Sequence, residues 1–257
     1  MRVQVLVAAM HQTDHSLLDK MHIASDVIVA NQCDRNAVES FDYNGHAAMY
    51  LNFAERGVGL NRNNALMRAD GDICLFADDD MVYLDGYAET VVRAFRENPG
   101  ADVIVFNLRE KNPTRHIITK RSRVHYLNYL RYGTARVAFR LDPVKKNGIY
   151  FNQCFGGGTE RCHGEDNLFL TACLNKGLKI CAVPAYIAEL TEERPSTWAT
   201  GYGEKYLKDQ GALYRAVSRR WWRLLCLQDA ARHSGLYGRS VGECLKLMLS
   251  GGKEYIK

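Results

Sequence analysis

The stretch that decides the fold is Ile73-Cys74-Leu75-Phe76-Ala77-Asp78-Asp79-Asp80, in which five largely apolar residues run straight into three carboxylates. The apolar run predicts a strand buried on both faces, as in a parallel sheet. Ligands of open α/β sheets bind at the carboxyl ends of strands, where this triplet falls. Adjacent carboxylates repel one another, and carboxylate with phosphate oxygens suits Mg²⁺ or Mn²⁺. The triplet therefore predicts a cation and diphosphate site, with an acidic surface turn as the alternative.

The flanking segments alternate between strand-like and helix-like patterns. Strands are predicted at 3–9, 26–30, 48–53 and 102–108, and helices at 16–22, 60–69 and 85–95. This alternation indicates βαβ units and an α/β fold with a mostly parallel, Rossmann-like sheet flanked by helices. Further on, the sequence predicts a helix at 167–176, a strand at 178–183 that ends before Pro184, and helix from about residue 202 to the end.

Composition is ordinary for a soluble globular protein, with 47% hydrophobic and 25% charged residues in 257. No apolar run is long enough to cross a bilayer, and the N-terminus enters a strand too directly for a secretory signal, so we expect a cytoplasmic protein. Eight cysteines without a CxxC pair predict reduced, mostly buried thiols. A zinc site at Cys154, Cys162 and His163 is the alternative, although its spacing fits no common pattern.

A second acidic element, Glu165-Asp166, follows the glycine loop at 156–158 and opens a helix. A carboxylate there can act as general base towards a substrate hydroxyl, and a helix cap is the alternative role for Asp166. The loop around Gly157 is either mobile or a simple hairpin turn. Trp198 is either a stacking surface for an acceptor sugar or a packing residue.

These elements, in this order, resemble the family 2 glycosyltransferases of the GT-A fold over roughly residues 3–200. Asn61-Arg62-Asn63-Asn64-Ala65-Leu66 resembles the start of that family's Arg-Asn helix, 78–80 its Asp-x-Asp motif, and 165–166 its Glu-Asp motif. The resemblance implies a GT-A domain at 1–200, with a nucleotide-sugar-binding half (1–110) and an acceptor half (111–200), followed by a helical C-terminal extension (201–257). It also implies an inverting, metal-dependent transfer from a nucleotide-sugar, in surface polysaccharide synthesis.

The resemblance assigns roles to individual residues. Asp80 and Asp78 would hold Mn²⁺ or Mg²⁺, and Asp166 would be the base, beside Glu165. The donor nucleotide, expected to be UDP-linked, would contact Arg62, Asp78 and Asp79, and also Asn31 or Asp34, because Asn31 and Gln32 replace the family's usual acidic residue and glycine. No histidine occurs at 189–193 to complete the metal site, so diphosphate and water would supply the remaining ligands. Gly157 and Trp198 would lie on the acceptor side, with a glycan or a lipid-linked saccharide as acceptor.

The C-terminal segment 214–225 mixes arginine with tryptophan and leucine. It predicts either an interfacial helix on an anionic membrane, peripheral to its inner face, or a packing helix with a solvated basic face. Nucleic acid is not expected as a partner, since no aromatic platform or groove-reading module accompanies the basic residues. Two rival functions remain open at this point: a nucleotidyltransferase, which would normally have a glycine-rich phosphate loop after the first strand, and a non-catalytic glycan- or membrane-binding homologue.

Overall fold

The computed structural model describes residues 1–113, 115–191 and 201–255, which form one ten-stranded sheet with helices on both faces. The strands are β1 (Val3–Met10), β2 (Asp26–Gln32), β3 (Ala37–Tyr43), β4 (His46–Phe53), β5 (Ile73–Asp78), β6 (Met81–Tyr83), β7 (Val103–Arg109), β8 (Ser122–Val124), β9 (Val137–Arg140) and β10 (Ile180–Leu190). The helices are α1 (Leu17–Lys20), α2 (Val58–Arg68), α3 (Tyr87–Glu97), α4 (Leu141–Lys146), α5 (Glu165–Asn175), α6 (Glu204–Val217), α7 (Trp222–Tyr237) and α8 (Val241–Glu254).

The strand order is β3-β4-β2-β1-β5-β9-β7-β10-β6, with β8 pairing to β10. The strands β4, β2, β1, β5, β7 and β10 share one direction, because β9 is antiparallel to both of its neighbours. The carboxyl ends of β1, β2 and β5 therefore meet at one edge of the sheet. The register pairs Ala8 of β1 with Asp78 of β5, which places the acidic triplet at that edge.

Strand β5 is buried on both faces, as its apolar sequence predicts. Leu75 and Ala77 face a core with α1 and α3, whereas Cys74 and Phe76 face a second core with α2 and α5. The Phe76 ring lies 4.8 to 5.1 Å, between ring centroids, from three other phenylalanine rings of the second core. Because side chains alternate across a strand, one apolar run can fill both cores at once.

Several element predictions need correction. The hairpin of β3 and β4, whose turn has Asn44 at φ 53°, and the antiparallel strand β9 were not predicted. Strand β10 does not end before Pro184 but continues to Leu190. Its register against β7 shifts between Ala182 and Tyr186, so the proline lies at an irregularity where a missing N–H is tolerated. All eight cysteines are free thiols, and six of them are buried.

The C-terminal helices α6, α7 and α8 pack together, and α6 packs against α5 through Leu213 and Gly164. A Cβ at Gly251 of α8 would lie 2.0 Å from the carbonyl oxygen of Lys208, and one at Gly211 of α6 would lie 1.8 Å from that of Met248. These two glycines let α6 and α8 approach backbone to backbone. Among the helices that the structure describes, none combines the length and apolar character needed to cross a membrane.

The predicted continuous helix over 214–225 is wrong. Helix α6 ends at Val217, and α7 begins at Trp222 after a turn in which the backbone of Ser218 is extended. Trp222 is buried against Gly252 rather than presented to a surface, whereas Trp221 and Leu224 are exposed. The basic and apolar residues of this segment therefore lie on a helix–helix corner.

Candidate active site

The site is organised around Arg62, whose side chain is only 2% exposed. Its Nη2 donates to Oδ1 of Asp78 at 2.6 Å, and its Nη1 donates to Oδ1 of Asp166 at 2.8 Å. A third, longer contact of 3.3 Å joins Nη1 to Oε1 of Glu165. One guanidinium thus connects the acidic triplet at the end of β5 to the Glu-Asp pair that begins α5.

The local sequence explains how Arg62 comes to this position. On α2, Asn61 donates from its side-chain amide to the carbonyl of Ala30 at the end of β2, and Asn63 exchanges two hydrogen bonds with the backbone of Phe151. These amides fix the helix over the carboxyl edge of the sheet. The guanidinium carbon of Arg62 lies 5.3 Å from the centroid of the Phe151 ring, which adds a cation–π contact.

Glu165 is fully buried, and its Oε2 has no hydrogen-bond partner among the described residues. Burial, followed by the charge of Asp166, raises the pKa of Glu165 to about 8, and the Arg62 guanidinium opposes this shift. Gly156, at φ 102°, lies against it: a Cβ there would come within 2.8 Å of the carboxyl group. The glycine loop is therefore needed to make room for Glu165, which is a packing role that sequence reasoning missed.

Asp166 is held by two donors on the same oxygen. The hydroxyl of Thr134 donates to Oδ1, which also accepts from Arg62. The second oxygen, Oδ2, faces Gly133, where a Cβ would come within 3.1 Å. Helix α5 has Gly164 as its N-cap, without a side-chain cap hydrogen bond, so this carboxylate does not cap the helix. Thr134 and Gly133 lie in a stretch without a recognisable motif, so nothing in the local sequence indicated their role.

The two remaining carboxylates of the triplet are those of Asp79 and Asp80. Asp79 accepts from the backbone N–H of Met10 at 3.4 Å and from the amide of Gln12 at 3.3 Å. Burial, with the neighbouring charges of Asp78 and Asp79, raises the pKa of Asp80 to about 6. This unfavourable concentration of negative charge is what a bound cation relieves.

Among the described residues, no three histidine, cysteine or acidic side chains converge on one metal position. The Asp80 carboxylate is the kind of oxygen ligand that a hard divalent cation takes, and the remaining ligands of such a cation would have to come from other oxygens. Asp78 is less available, since Arg62 holds one of its oxygens.

Asn31 and Asp34, the two alternative nucleotide contacts expected near the end of β2, differ in burial. Asn31 is fully buried at the end of β2, and its amide is occupied by the backbone of Gln12 and by the side chain of Asn52. Asp34 is exposed and forms an ion pair with Arg56 at 2.6 Å. Of these two side chains, only that of Asp34 is exposed to solvent.

The predicted acceptor residues are distributed as follows. The carbonyl of Gly157 accepts from the N–H of Val58 at 2.9 Å, which ties the glycine loop to the start of α2. Trp198 lies outside the described residues. The structure thus brings together Arg62, the acidic triplet and the Glu-Asp pair, and it adds the glycine loop as their support.

Comparisons with known proteins identify the family and the fold of this chain. The sequence profile of glycosyl transferase family 2 matches residues 8–161, a span that contains Arg62, the acidic triplet and Thr134. A comparison with curated protein sequences gave no match. Among solved structures, S. aureus TarS 1-349 in complex with UDP-GlcNAc superposes with a TM-score of 0.66 and 15% identity, covering 99% of this chain and 91% of the other.

Two further TarS structures superpose in the same way. The complex of TarS 1-349 with UDP gives a TM-score of 0.62 at 16% identity, with 99% of this chain and 91% of that chain covered. The longer S. aureus TarS gives 0.64 at 17% identity, with 97% of this chain and 55% of that chain covered. The predicted GT-A fold, a mostly parallel sheet flanked by helices, is confirmed. Because the profile match spans more than half of the chain, the protein belongs to glycosyl transferase family 2.

Proposed function

We propose that this protein transfers a sugar from a UDP-linked donor to a hydroxyl group of a glycan or lipid-linked saccharide, in surface polysaccharide synthesis. The observation that carries the proposal is the Arg62 bridge, which joins the acidic triplet, inside the matched family profile, to the Glu-Asp pair just after the end of that match. The UDP-GlcNAc and UDP complexes of TarS support a uridine nucleotide as the donor's leaving group.

In this proposal Asp166 is the general base of an inverting transfer. Arg62 and Thr134 fix the carboxylate through Oδ1, so Oδ2 takes the proton of the acceptor hydroxyl as that hydroxyl attacks the sugar. Gly133 keeps side-chain atoms away from Oδ2 and leaves room for the hydroxyl. Holding the base in one orientation supplies part of the rate enhancement by proximity.

The leaving diphosphate belongs at the opposite end of the site, beside Asp80. A divalent cation held there by Asp80 and the diphosphate would offset the negative charge that develops on the leaving group. Asp79 contributes differently: it fixes the backbone of Met10 and the side chain of Gln12, which shapes the β1 end of the nucleotide pocket.

Calorimetry of UDP with and without Mn²⁺, followed by assay of UDP release from UDP-sugars, tests both ends of the site. Asp80→Asn is expected to lose most Mn²⁺-dependent UDP affinity, because it removes the proposed cation ligand. Asp166→Asn should retain UDP affinity and lose about 100-fold or more in kcat, because general bases act in the transition state. Asp142→Asn, an exposed carboxylate on α4, is the matched control and should change neither quantity.

Four results would contradict these assignments. Unchanged Mn²⁺-dependent UDP affinity in Asp80→Asn would remove the cation site, and near wild-type turnover in Asp166→Asn would place the base elsewhere. Consumption of a UDP-sugar that requires added pyrophosphate and yields UTP with a sugar 1-phosphate would identify a nucleotidyltransferase, whereas binding of UDP-sugars without turnover would identify a non-catalytic homologue.

We also propose that the corner between α6 and α7 contacts the anionic inner face of the cytoplasmic membrane. Trp221 is 52% exposed and Leu224 is 56% exposed, with Arg220 and Arg223 beside them. Each arginine near an anionic surface contributes about 1 kcal/mol. Arg220→Gln with Arg223→Gln should weaken co-sedimentation with phosphatidylglycerol vesicles about tenfold or more, and Arg93→Gln on α3 should not. Wild-type protein that ignores such vesicles at low salt would rule out this contact.

A further inference from the structure

Four basic side chains gather on the side of the site that carries the base. Arg131 donates from Nη1 to Nε2 of His116 at 3.4 Å, and Arg136 donates from Nη1 to the carbonyl oxygen of His116 at 2.9 Å. Arg131 and Arg136 both lie against the Tyr132 ring, with guanidinium carbons 5.9 and 4.9 Å from its centroid. Together with Arg115, these residues form what we call the basic cluster: Arg115, His116, Arg131 and Arg136.

Arg136 is the unusual member, because it is 2% exposed and incompletely paired. Its Nε and Nη2 atoms have no hydrogen-bond partner among the described residues. A buried guanidinium with unpaired N–H groups costs free energy unless a ligand or counter-ion completes it. Burial lowers the pKa of Arg136 to about 10, and the charge of Arg115 adds to this effect.

The negative charge near the basic cluster is smaller than the positive charge. Glu110 forms an ion pair with Arg115 at 2.6 Å and attenuates the field at Arg136. His116 accepts from Arg131, and burial with the charges of Arg131 and Arg136 lowers its pKa, so it is neutral at pH 7. Three arginines therefore face one carboxylate within this part of the described chain. The excess of positive charge predicts an anion as ligand.

The position of the basic cluster indicates which substrate carries that anion. Arg136 shares a single 3₁₀ turn, Thr134–Arg136, with the residue whose hydroxyl holds Asp166. A base that accepts the proton of the acceptor hydroxyl must lie next to the acceptor, so Arg136 lies on the acceptor side.

We propose that the basic cluster binds an oxyanion of the acceptor, a phosphodiester or a carboxylate, and so makes this enzyme selective for anionic acceptors. The inference rests on the proposed function, because it requires Asp166 to act on an acceptor hydroxyl. Arg136 supplies the N–H groups of two unpaired nitrogens, Nε and Nη2, for the oxyanion, and Arg131 adds an exposed positive charge. Recognition by paired N–H groups of one guanidinium favours planar or tetrahedral oxyanions over chloride.

The test measures anion binding without turnover, by calorimetry on protein saturated with UDP and Mn²⁺. The probes are inorganic phosphate, glycerol 3-phosphate and glucuronate, with glucose as the uncharged control, all at one ionic strength. Phosphate or glucuronate should bind to the saturated protein, and the stronger of glycerol 3-phosphate and glucuronate indicates which oxyanion the acceptor carries.

Three variants locate the binding site. Arg136→Met should weaken anion binding about tenfold or more. Arg131→Gln changes an exposed residue, so it should not affect folding, and it should weaken anion binding about threefold. Arg123→Gln on β8 removes an exposed arginine outside the basic cluster and should leave anion affinity unchanged. UDP affinity, measured on each variant, reports whether the site is still folded.

Each other outcome overturns the inference. No anion binding to UDP-saturated protein, or equal losses in Arg131→Gln and Arg123→Gln, would show that the basic cluster is not an anion site. Anion binding that UDP displaces would assign it to the donor diphosphate. A protein that binds UDP but no probe refutes this inference alone, whereas a protein that does not bind UDP refutes the proposed function and the acceptor assignment with it.

Discussion

Replacing Arg62 by methionine should destabilise the protein more than any exposed arginine substitution. Methionine keeps an unbranched side chain of similar reach but removes the charge and the N–H donors that hold Asp78 and Asp166. Three acidic side chains would then face one another without a counter-charge, and Glu165 would lie buried among them. We therefore expect a large loss in the free energy of unfolding.

The magnitude follows from how buried each partner is. Breaking a fully buried ion pair costs about 3–5 kcal/mol. The side chains of Asp78 and Asp166 are 34% and 21% exposed, so water screens part of this cost, and the lower end, about 3 kcal/mol, applies. At about 2–4 °C per kcal/mol for a chain of this size, the Tm should fall by about 6–12 °C.

Thermal and urea unfolding of Arg62→Met, beside Arg56→Met, is the assay. Arg56 forms an ion pair with the exposed carboxylate of Asp34, so its loss should cost at most about 1 kcal/mol. Adding Asp166→Asn to Arg62→Met should recover part of the loss, because it removes one of the stranded charges. Equal Tm values for the two arginine variants would refute the view that Arg62 holds the site together.

Two further predictions concern stability. The pKa of Glu165 is raised in the folded state, so the folded protein binds more protons than the unfolded chain, and its stability should fall as pH rises from about 5 to 8. Urea unfolding at both pH values should show a smaller fall for Glu165→Gln than for the wild type, and an equal fall in the two proteins would contradict the shifted pKa. Gly251→Ala places a Cβ 2.0 Å from a backbone oxygen and should lower the free energy of unfolding by about 1–3 kcal/mol. Gly242→Ala, in open space on the same helix, should leave it unchanged or raise it by up to about 1 kcal/mol, and equal Tm values for the two variants would contradict the close helix crossing.

The sequence predicted the structure best where a residue pattern is compatible with few structures. A five-residue apolar run between polar segments is typical of a strand in the middle of a parallel sheet, which is the position of β5. The hairpin of β3 and β4 is different, because its alternating, half-exposed pattern over Ala37–Tyr43 carries a weak signal. Strand β9 is four residues long, too short for periodicity to reveal.

Residues that gain their role from tertiary contact could not be read from the chain. Thr134 and Asp166 are 32 residues apart, and only the packing of α5 against the turn at 134–136 brings them together. Gly156 is needed because Glu165 comes against it in three dimensions, a close approach that no local pattern announces. The corner at 218–221 was missed for a related reason: burial of Trp222 against Gly252 sets the start of α7, and helical propensity does not.

The distribution of charge gives a physical reason for a cation in the proposed reaction. Arg62 is the one guanidinium bonded to the acidic set, which comprises Asp78, Asp79, Asp80, Glu165 and Asp166 among the described residues. A donor diphosphate would add negative charge to a region where carboxylates already outnumber the arginine. Repulsion would then oppose donor binding unless a divalent cation entered with the diphosphate. In the proposed arrangement the basic cluster cannot replace that cation without giving up the acceptor's oxyanion, since only the Nε and Nη2 atoms of Arg136 lack a partner among the described residues. Donor binding that stays equally tight without divalent metal would therefore contradict both the cation site beside Asp80 and the assignment of the basic cluster to the acceptor.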